Sequence, residues 1–200
     1  MSTARQTYLT PRQYLEIERQ ADHKSEYFAG EIFAMVGASR EHNLLATNVT
    51  RDLSEQLKER DCEVYAADMR VKVDVTGLYT YPDIVVACDE PQFDDEAVDT
   101  LLNPTVLIEV LSDSTEAYDR GKKFAHYRKL KSLREYLLIA QDRCHVEHYV
   151  RQADNRWLLS ETYEPNDQIT LPSINCTLQL AEVYDKVKFE QAEDDLESSA

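Results

Sequence analysis

Apolar residues recur along this chain with two different periods, and the changes of period mark its elements. Thr10 and Pro11 open a helix running to about Asp22, with Thr10 as the cap and Pro11 in the first turn, where a missing N–H costs nothing. EYFAGEIFAMV then alternates on both sides of Ala29-Gly30, which predicts a hairpin with strands at about 25–28 and 31–36. Ser39 precedes a long helix in which Leu44, Leu45, Val49, Leu53 and Leu57 fall along one face. Strands follow at about 62–66, 68–75 and 84–88, with Gly77 and Pro82 punctuating the approach to IVVAC. TVLIEVLS, 105–112, is almost wholly apolar and β-branched, the pattern of a central strand covered on both faces. After a helix at about 118–131, EYLLIA, CHVEHYVR and RWLLSETYEP predict three strands turning at Asp142-Arg143 and Asp154-Asn155, an antiparallel meander. LPSINCTLQLAEVYDKV adds a short strand and a helical turn.

This order predicts one α/β domain over residues 1–188, a mixed β-sheet with flanking helices and a carboxy-terminal antiparallel meander. An acidic tail, 189–200, has too little apolar surface to stay ordered. No apolar run approaches the ~20 residues of a membrane span, and the amino terminus has no stretch of signal-peptide length, so no membrane is implied and the cytoplasm is the expected compartment. Cys62, Cys88, Cys144 and Cys176 stand singly, which predicts buried free thiols rather than a zinc site or a disulfide framework.

A net charge of −16 looks hostile to nucleic acid, since binding to it depends on Lys and Arg displacing condensed counterions. The distribution changes that picture. Residues 89–99 carry Asp89, Glu90, Asp94, Asp95, Glu96 and Asp99 with no base, and 190–200 are similarly acidic. Residues 118–134 hold Arg120, Lys122, Lys123, Arg128, Lys129, Lys131 and Arg134 against Asp119 alone. An acidic protein can therefore present one basic face; the plainer alternative is the solvated side of an amphipathic helix.

Glu109 is the anomaly in this pattern. It lies inside TVLIEVLS, where an ionised carboxylate is costly without a cation or hydrogen bonds. Alternation sets Leu107, Glu109 and Leu111 on one face and Val106, Ile108 and Val110 on the other. Asp83 opens the preceding core strand, and two carboxylates on neighbouring strands repel unless an ion lies between them. Mg²⁺ or Mn²⁺, which favour oxygen ligands and keep several waters, suit such a pair. His145 and His148, three apart on a strand, face opposite ways and make no metal pair.

YPDIVV, LIEVLSDST, YDRGKKFAHY and REYLLI, in that order and spacing, together with EYFAGEIFAM and SREHNLL, resemble the bacterial family described as putative restriction endonucleases, a branch of the PD-(D/E)XK nuclease superfamily. The likeness covers roughly residues 10–185. It implies a restriction endonuclease-like core and a metal-dependent endonuclease acting on DNA, with Asp83 and Glu109 as metal ligands. In the superfamily a lysine two residues beyond the Glu assists the attacking water, but here Leu111 stands in that place. The resemblance moves the lysine to the next helix, as Lys123, where Asp119, Lys123 and Tyr127 share a helical face and Lys122 points about 100° away. It further implies Glu26 as an added metal ligand, His42 as a hydrogen-bonding partner for a carboxylate or phosphate, and Tyr127 as a residue orienting water or phosphate. Arg120, Lys122, Arg128, Lys129 and Lys131 would meet the nucleic-acid backbone, and so small a domain facing two strands implies a homodimer. Two rival readings stay open: a nuclease-like domain that binds nucleic acid or a protein without cutting, and an assembly protein whose acidic segments recruit a basic partner.

Overall fold

The computed structural model describes residues 8–189. Its centre is a mixed six-stranded sheet in the order β11-β10-β9-β8-β6-β3, formed by β3 (Cys62–Ala66), β6 (Ile84–Cys88), β8 (Val106–Leu111), β9 (Glu135–Ala140), β10 (Val146–Arg151) and β11 (Trp157–Thr162). β8 and β9 run parallel, and every other pairing in this sheet is antiparallel. The three-strand meander is present as expected. β8 is buried along its whole length, as its apolar composition requires of a strand with both faces covered.

One face carries Ile84, Val86, Val106, Ile108 and Val110 and packs on α2 (Arg40–Leu57) through Leu45, Val49, Leu53 and Leu57. Burying each of those helix side chains contributes about 1.5–3 kcal/mol. α2 begins where Ser39 accepts the His42 N–H, and that cap fixes where the first turn points. A hairpin of β12 (Gln168–Leu171) and β13 (Cys176–Gln179), followed by α5 (Leu180–Val183), closes the same face. Two strands thus stand where the sequence predicts one.

The opposite face, with Val85, Leu107, Leu111 and Tyr136, is covered by the helical stretch 116–127 and by Val71, Val73 and Leu78 of a second sheet. The stretch consists of α3 (Glu116–Tyr118), a π-helical turn (Asp119–Lys123) and α4 (Phe124–Tyr127), so it ends four residues before the predicted boundary. The second sheet was not foreseen as a separate unit. Its order is β2-β1-β5-β4-β7, from β1 (Ser25–Phe28), β2 (Glu31–Ala34), β4 (Arg70–Val73), β5 (Leu78–Thr80) and β7 (Thr100–Leu101). β1 and β2 turn through Ala29 (φ 52) and Gly30 (φ 91); the left-handed backbone at both positions is the primed turn that a two-residue hairpin demands. Beside this sheet lies α1 (Pro11–Glu18), whose Thr10–Gln13 capping box fulfils the predicted start, although the helix ends before Asp22.

One expectation is overturned. Cys62 and Cys88 are joined by a disulfide, because the β3–β6 register sets them directly opposite each other, at a Cα separation of 4.1 Å. Only Cys144 and Cys176 are free thiols. Three of the six carboxylates of the acidic loop are paired, while Asp89, Glu90 and Glu96 stay exposed. Asp94 pairs with Lys72 (2.6 Å), Asp95 with Arg19 (2.7 Å), and Asp99 with both Arg19 and Arg70 (2.8 Å each), so much of its charge ties α1 to the second sheet. Of the tail, Phe189 packs edge-on against Tyr184, and residues 190–200 lie outside the described residues. Among the described residues no helix is long and apolar enough to cross a membrane.

Candidate active site

β6 and β8 pair antiparallel with Ile84 opposite Ile108, so continuing the register by one position sets Asp83 opposite Glu109. Ile84 and Ile108 point to the α2 side, hence Asp83 and Glu109 share the other face. The two carboxylates are therefore brought together, as the alternation predicts. Asp83 is fixed by its backbone surroundings: its Oδ2 accepts the Val110 N–H (2.7 Å) and lies 3.1 Å from His42 Nε2. His42, held in the first turn of α2, thus meets a carboxylate, while its buried Nδ1 has no hydrogen-bond partner.

The helical stretch crosses the face that carries Glu109 and delivers an amine to it. Lys123 Nζ lies 2.9 Å from Glu109 Oε1, 3.4 Å from Asp119 Oδ1 and 3.5 Å from Glu26 Oε1. Lys123 is 5% exposed, Asp119 3% and Glu109 3%, so water screens these charges little. Lys122, by contrast, is exposed, in keeping with the expected 100° offset. Leu111 is buried in the apolar core below, where it can serve no acid–base role.

Burial pushes the Glu109 carboxyl well above its ordinary range, with Asp119 and Asp83 adding to the rise and Lys123 opposing it. Burial also raises Asp119. For Lys123, burial works to lower the pKa, but Glu109, Asp119 and Glu26 outweigh it and hold the ammonium charged. The Tyr127 phenol is driven up by burial and by Glu109, so it keeps its proton and donates to Glu109 Oε1 (2.8 Å). Tyr127 is fully buried, which corrects the expectation that it orients water or phosphate: it positions the carboxylate instead.

Glu26, from the second sheet, accepts hydrogen bonds from Thr80 and, at 3.2 Å, from Tyr118 in addition to its contact with Lys123. Thr80 and Tyr118 were not anticipated from the sequence. Thr80 lies in a strand too short to show a period, and a tyrosine beside a helix start carries no distinguishing signal. Glu26, His42, Asp83, Glu109, Asp119 and Lys123 all line one cleft of about 770 Å³. Asp22 and Asp68 line it too, so six carboxylates share that cleft with Lys24 and the buried Lys123 ammonium.

Among the described residues no group of three or more His, Cys, Asp or Glu side chains is placed to hold a metal ion. The Asp83–Glu109 pair supplies two hard oxygen donors facing a cleft with room for water, which is how Mg²⁺ is ordinarily held. Glu26 is engaged with Lys123, Thr80 and Tyr118.

The expected nucleic-acid contacts divide. Arg120 is consumed by Glu147 (2.6 Å) and Glu116 and is no free basic group, because the helix stacks it over one acid four residues back and against another on β10. Lys122, Arg128, Lys129 and Lys131 are exposed and have no carboxylate partner among the described residues. His145 meets Glu161 and His148 meets Glu135, so the two imidazoles do not converge.

Residues 11–182 match the family model Uma2, described as "putative restriction endonuclease". The chain is 40% identical over 169 residues to the uncharacterized protein sll1609 of Synechocystis sp., covering 84% of this chain and 96% of that one. It is 34% identical over 181 residues to slr1290 of the same organism, also uncharacterized, covering 90% and 94%. The fold is shared with the crystal structure of a "putative nuclease belonging to DUF820" from Anabaena variabilis, at a TM-score of 0.73 and 20% identity, covering 88% of this chain and 97% of that one.

Proposed function

Because this chain belongs to the Uma2 putative restriction endonuclease family, we propose that its cleft hydrolyses phosphodiester bonds in DNA with the help of Mg²⁺ or Mn²⁺. The observation that carries this reading is the buried Lys123 ammonium 2.9 Å from Glu109, beside an Asp83 on the adjoining strand. Asp83 and Glu109 would hold the ion. A divalent cation bound there supplies Lewis acidity toward a phosphoryl oxygen and the attacking water.

Everything else rests on the chain itself. Lys123, charged and nearly dry, offers a fixed positive charge where negative charge grows during attack on phosphorus, and needs no reorganisation to do so. Asp119, Glu26 and Tyr127 act through others: the first two hold the ammonium in place, and the phenol holds Glu109. His42 keeps Asp83 oriented toward the cleft. Glu26 as a third metal ligand, in place of its contact with Lys123, and a homodimer presenting two clefts to a duplex belong to the same proposal.

The test is cleavage of duplex and single-stranded DNA by the purified protein with Mg²⁺ or Mn²⁺. Asp83→Ala abolishes it, and Lys123→Ala lowers the rate by about 10²–10³. Cleavage that persists in both variants removes these residues from the mechanism. The rival reading, a domain that binds without cutting, draws on Leu111 at the usual lysine position; calorimetry with Mn²⁺ separates the two, since a binding module has no use for an ion at Asp83.

A further inference from the structure

On the far side of the 116–127 helical stretch lies a second concavity, of about 520 Å³, lined by Arg128, Lys129, Lys131, Arg151, Asn155 and Trp157, together with Ala125. It shares no lining residue with the cleft. Ala125 follows Lys123 by two positions, about 200° round the helix, so cleft and groove flank one element. In a chain of net charge −16, cations are mostly paired: Arg12, Arg19, Lys24, Arg51, Arg70, Lys72, Arg120, Arg143 and Arg156 all meet carboxylates. Among the described residues none of the four cations lining the groove does.

Arg151 is the informative member. Its guanidinium donates only to main-chain carbonyls, those of Leu130 (2.8 Å), Lys131 (3.3 Å) and Arg128 (2.5 Å), and it lies over the Trp157 ring at 4.9 Å. Its Nε is buried with no partner. Capping the last carbonyls of a helical stretch accounts for the position of Arg151, but leaves its charge uncompensated beside Arg128, Lys129 and Lys131. Like charges gathered without counter-ions repel one another and are relieved by a bound anion.

We propose that this groove binds the phosphate backbone of a nucleic acid at a point separate from the site of hydrolysis. The choice of a polyanion rests on the nuclease reading above. A helix about 10–12 Å across separates groove from cleft, roughly three base steps at 3.4 Å each, so a substrate of a few nucleotides reaches both while a small diester reaches only the cleft. An acidic protein surface is the other anion of this size, and a groove whose named polar side chains are nearly all cationic donors, with three on one turn of chain, suits phosphates following one another along a strand.

Trp157 is the only tryptophan in the chain and reports the groove directly. The full-length protein is titrated in EDTA with a 16-base-pair duplex and a 16-nucleotide single strand, following Trp157 fluorescence at several salt concentrations. The expected result is a saturable change whose affinity falls with salt. Lys129→Glu/Lys131→Glu then weakens binding at least tenfold, with a salt slope shallower by about 1.8 for the duplex. Lys58→Glu/Lys188→Glu, which changes net charge equally at exposed positions elsewhere, should lose much less. Equal losses in the two double variants, or no binding by the wild type, overturn the proposal. So does a low-salt self-association, seen by sedimentation, that Lys129→Glu/Lys131→Glu removes, since it would assign the groove to the acidic surface of a second copy. The nuclease reading is judged apart, by Mn²⁺-dependent hydrolysis of bis(4-nitrophenyl) phosphate in wild type and Asp83→Ala.

Discussion

An ammonium 5% exposed stays charged in this protein because three carboxylates outweigh the cost of drying it, and two of them, Glu109 and Asp119, are themselves dry. Removing one partner leaves the others uncompensated. Lys123→Met should therefore cost about 3–5 kcal/mol in urea unfolding, and adding Glu109→Gln should restore about 1–3 kcal/mol of it. A double variant no more stable than Lys123→Met would deny the coupling. Glu109 was legible in the sequence because a charge inside an apolar strand is expensive and so demands a reason. Thr80 and Tyr118, which complete the setting of Glu26, were not, because neither is unusual where it stands.

Among the elements, the long ones announced themselves. α2 and β8 are periodic or apolar over enough residues for pattern to outweigh accident, and both lie within a few residues of their predicted bounds. β5 and β7, of three and two residues, are too short to show a period and exist only because neighbouring strands accept them. The π-helical turn is equally silent, since Asp119, Arg120, Gly121, Lys122 and Lys123 fit an ordinary helix as well. Cross-strand pairing of Cys62 with Cys88 needed the register, which spacing does not disclose. That bond closes a separation of 26 residues, so reductant should lower stability by about 3 kcal/mol, read as a fall in thermal midpoint. A Cys62→Ser/Cys88→Ser variant should show no such response to reductant.

At the scale of the whole molecule, the mixed α/β class and the meander followed from element order, whereas the split into two sheets depended on contacts far apart in sequence. The second sheet is tied to α1 through Asp99. Hydrogen bonds from Arg19 hold its carboxyl well below the usual range despite partial burial, with Arg70 reinforcing them. A depressed carboxyl contributes stability that is present above its unfolded value of about 3.9 and is lost as pH falls toward the folded one. Asp99→Asn should thus be less stable than wild type by on the order of 2 kcal/mol at neutral pH, a gap that closes below about pH 3.9. A gap that persists unchanged into strong acid would show that Asp99 matters for shape and not for charge.

Lys123 touches Glu26 on one sheet and Glu109 on the other. The chemistry proposed above would therefore be assembled at a joint, not engraved on either slab, and each half alone holds an incomplete set of parts. Whatever wedges the two slabs apart, whether heat, denaturant or a ligand entering the cleft, disconnects the amine from one of its anchors while both slabs still keep their own ladders of hydrogen bonds.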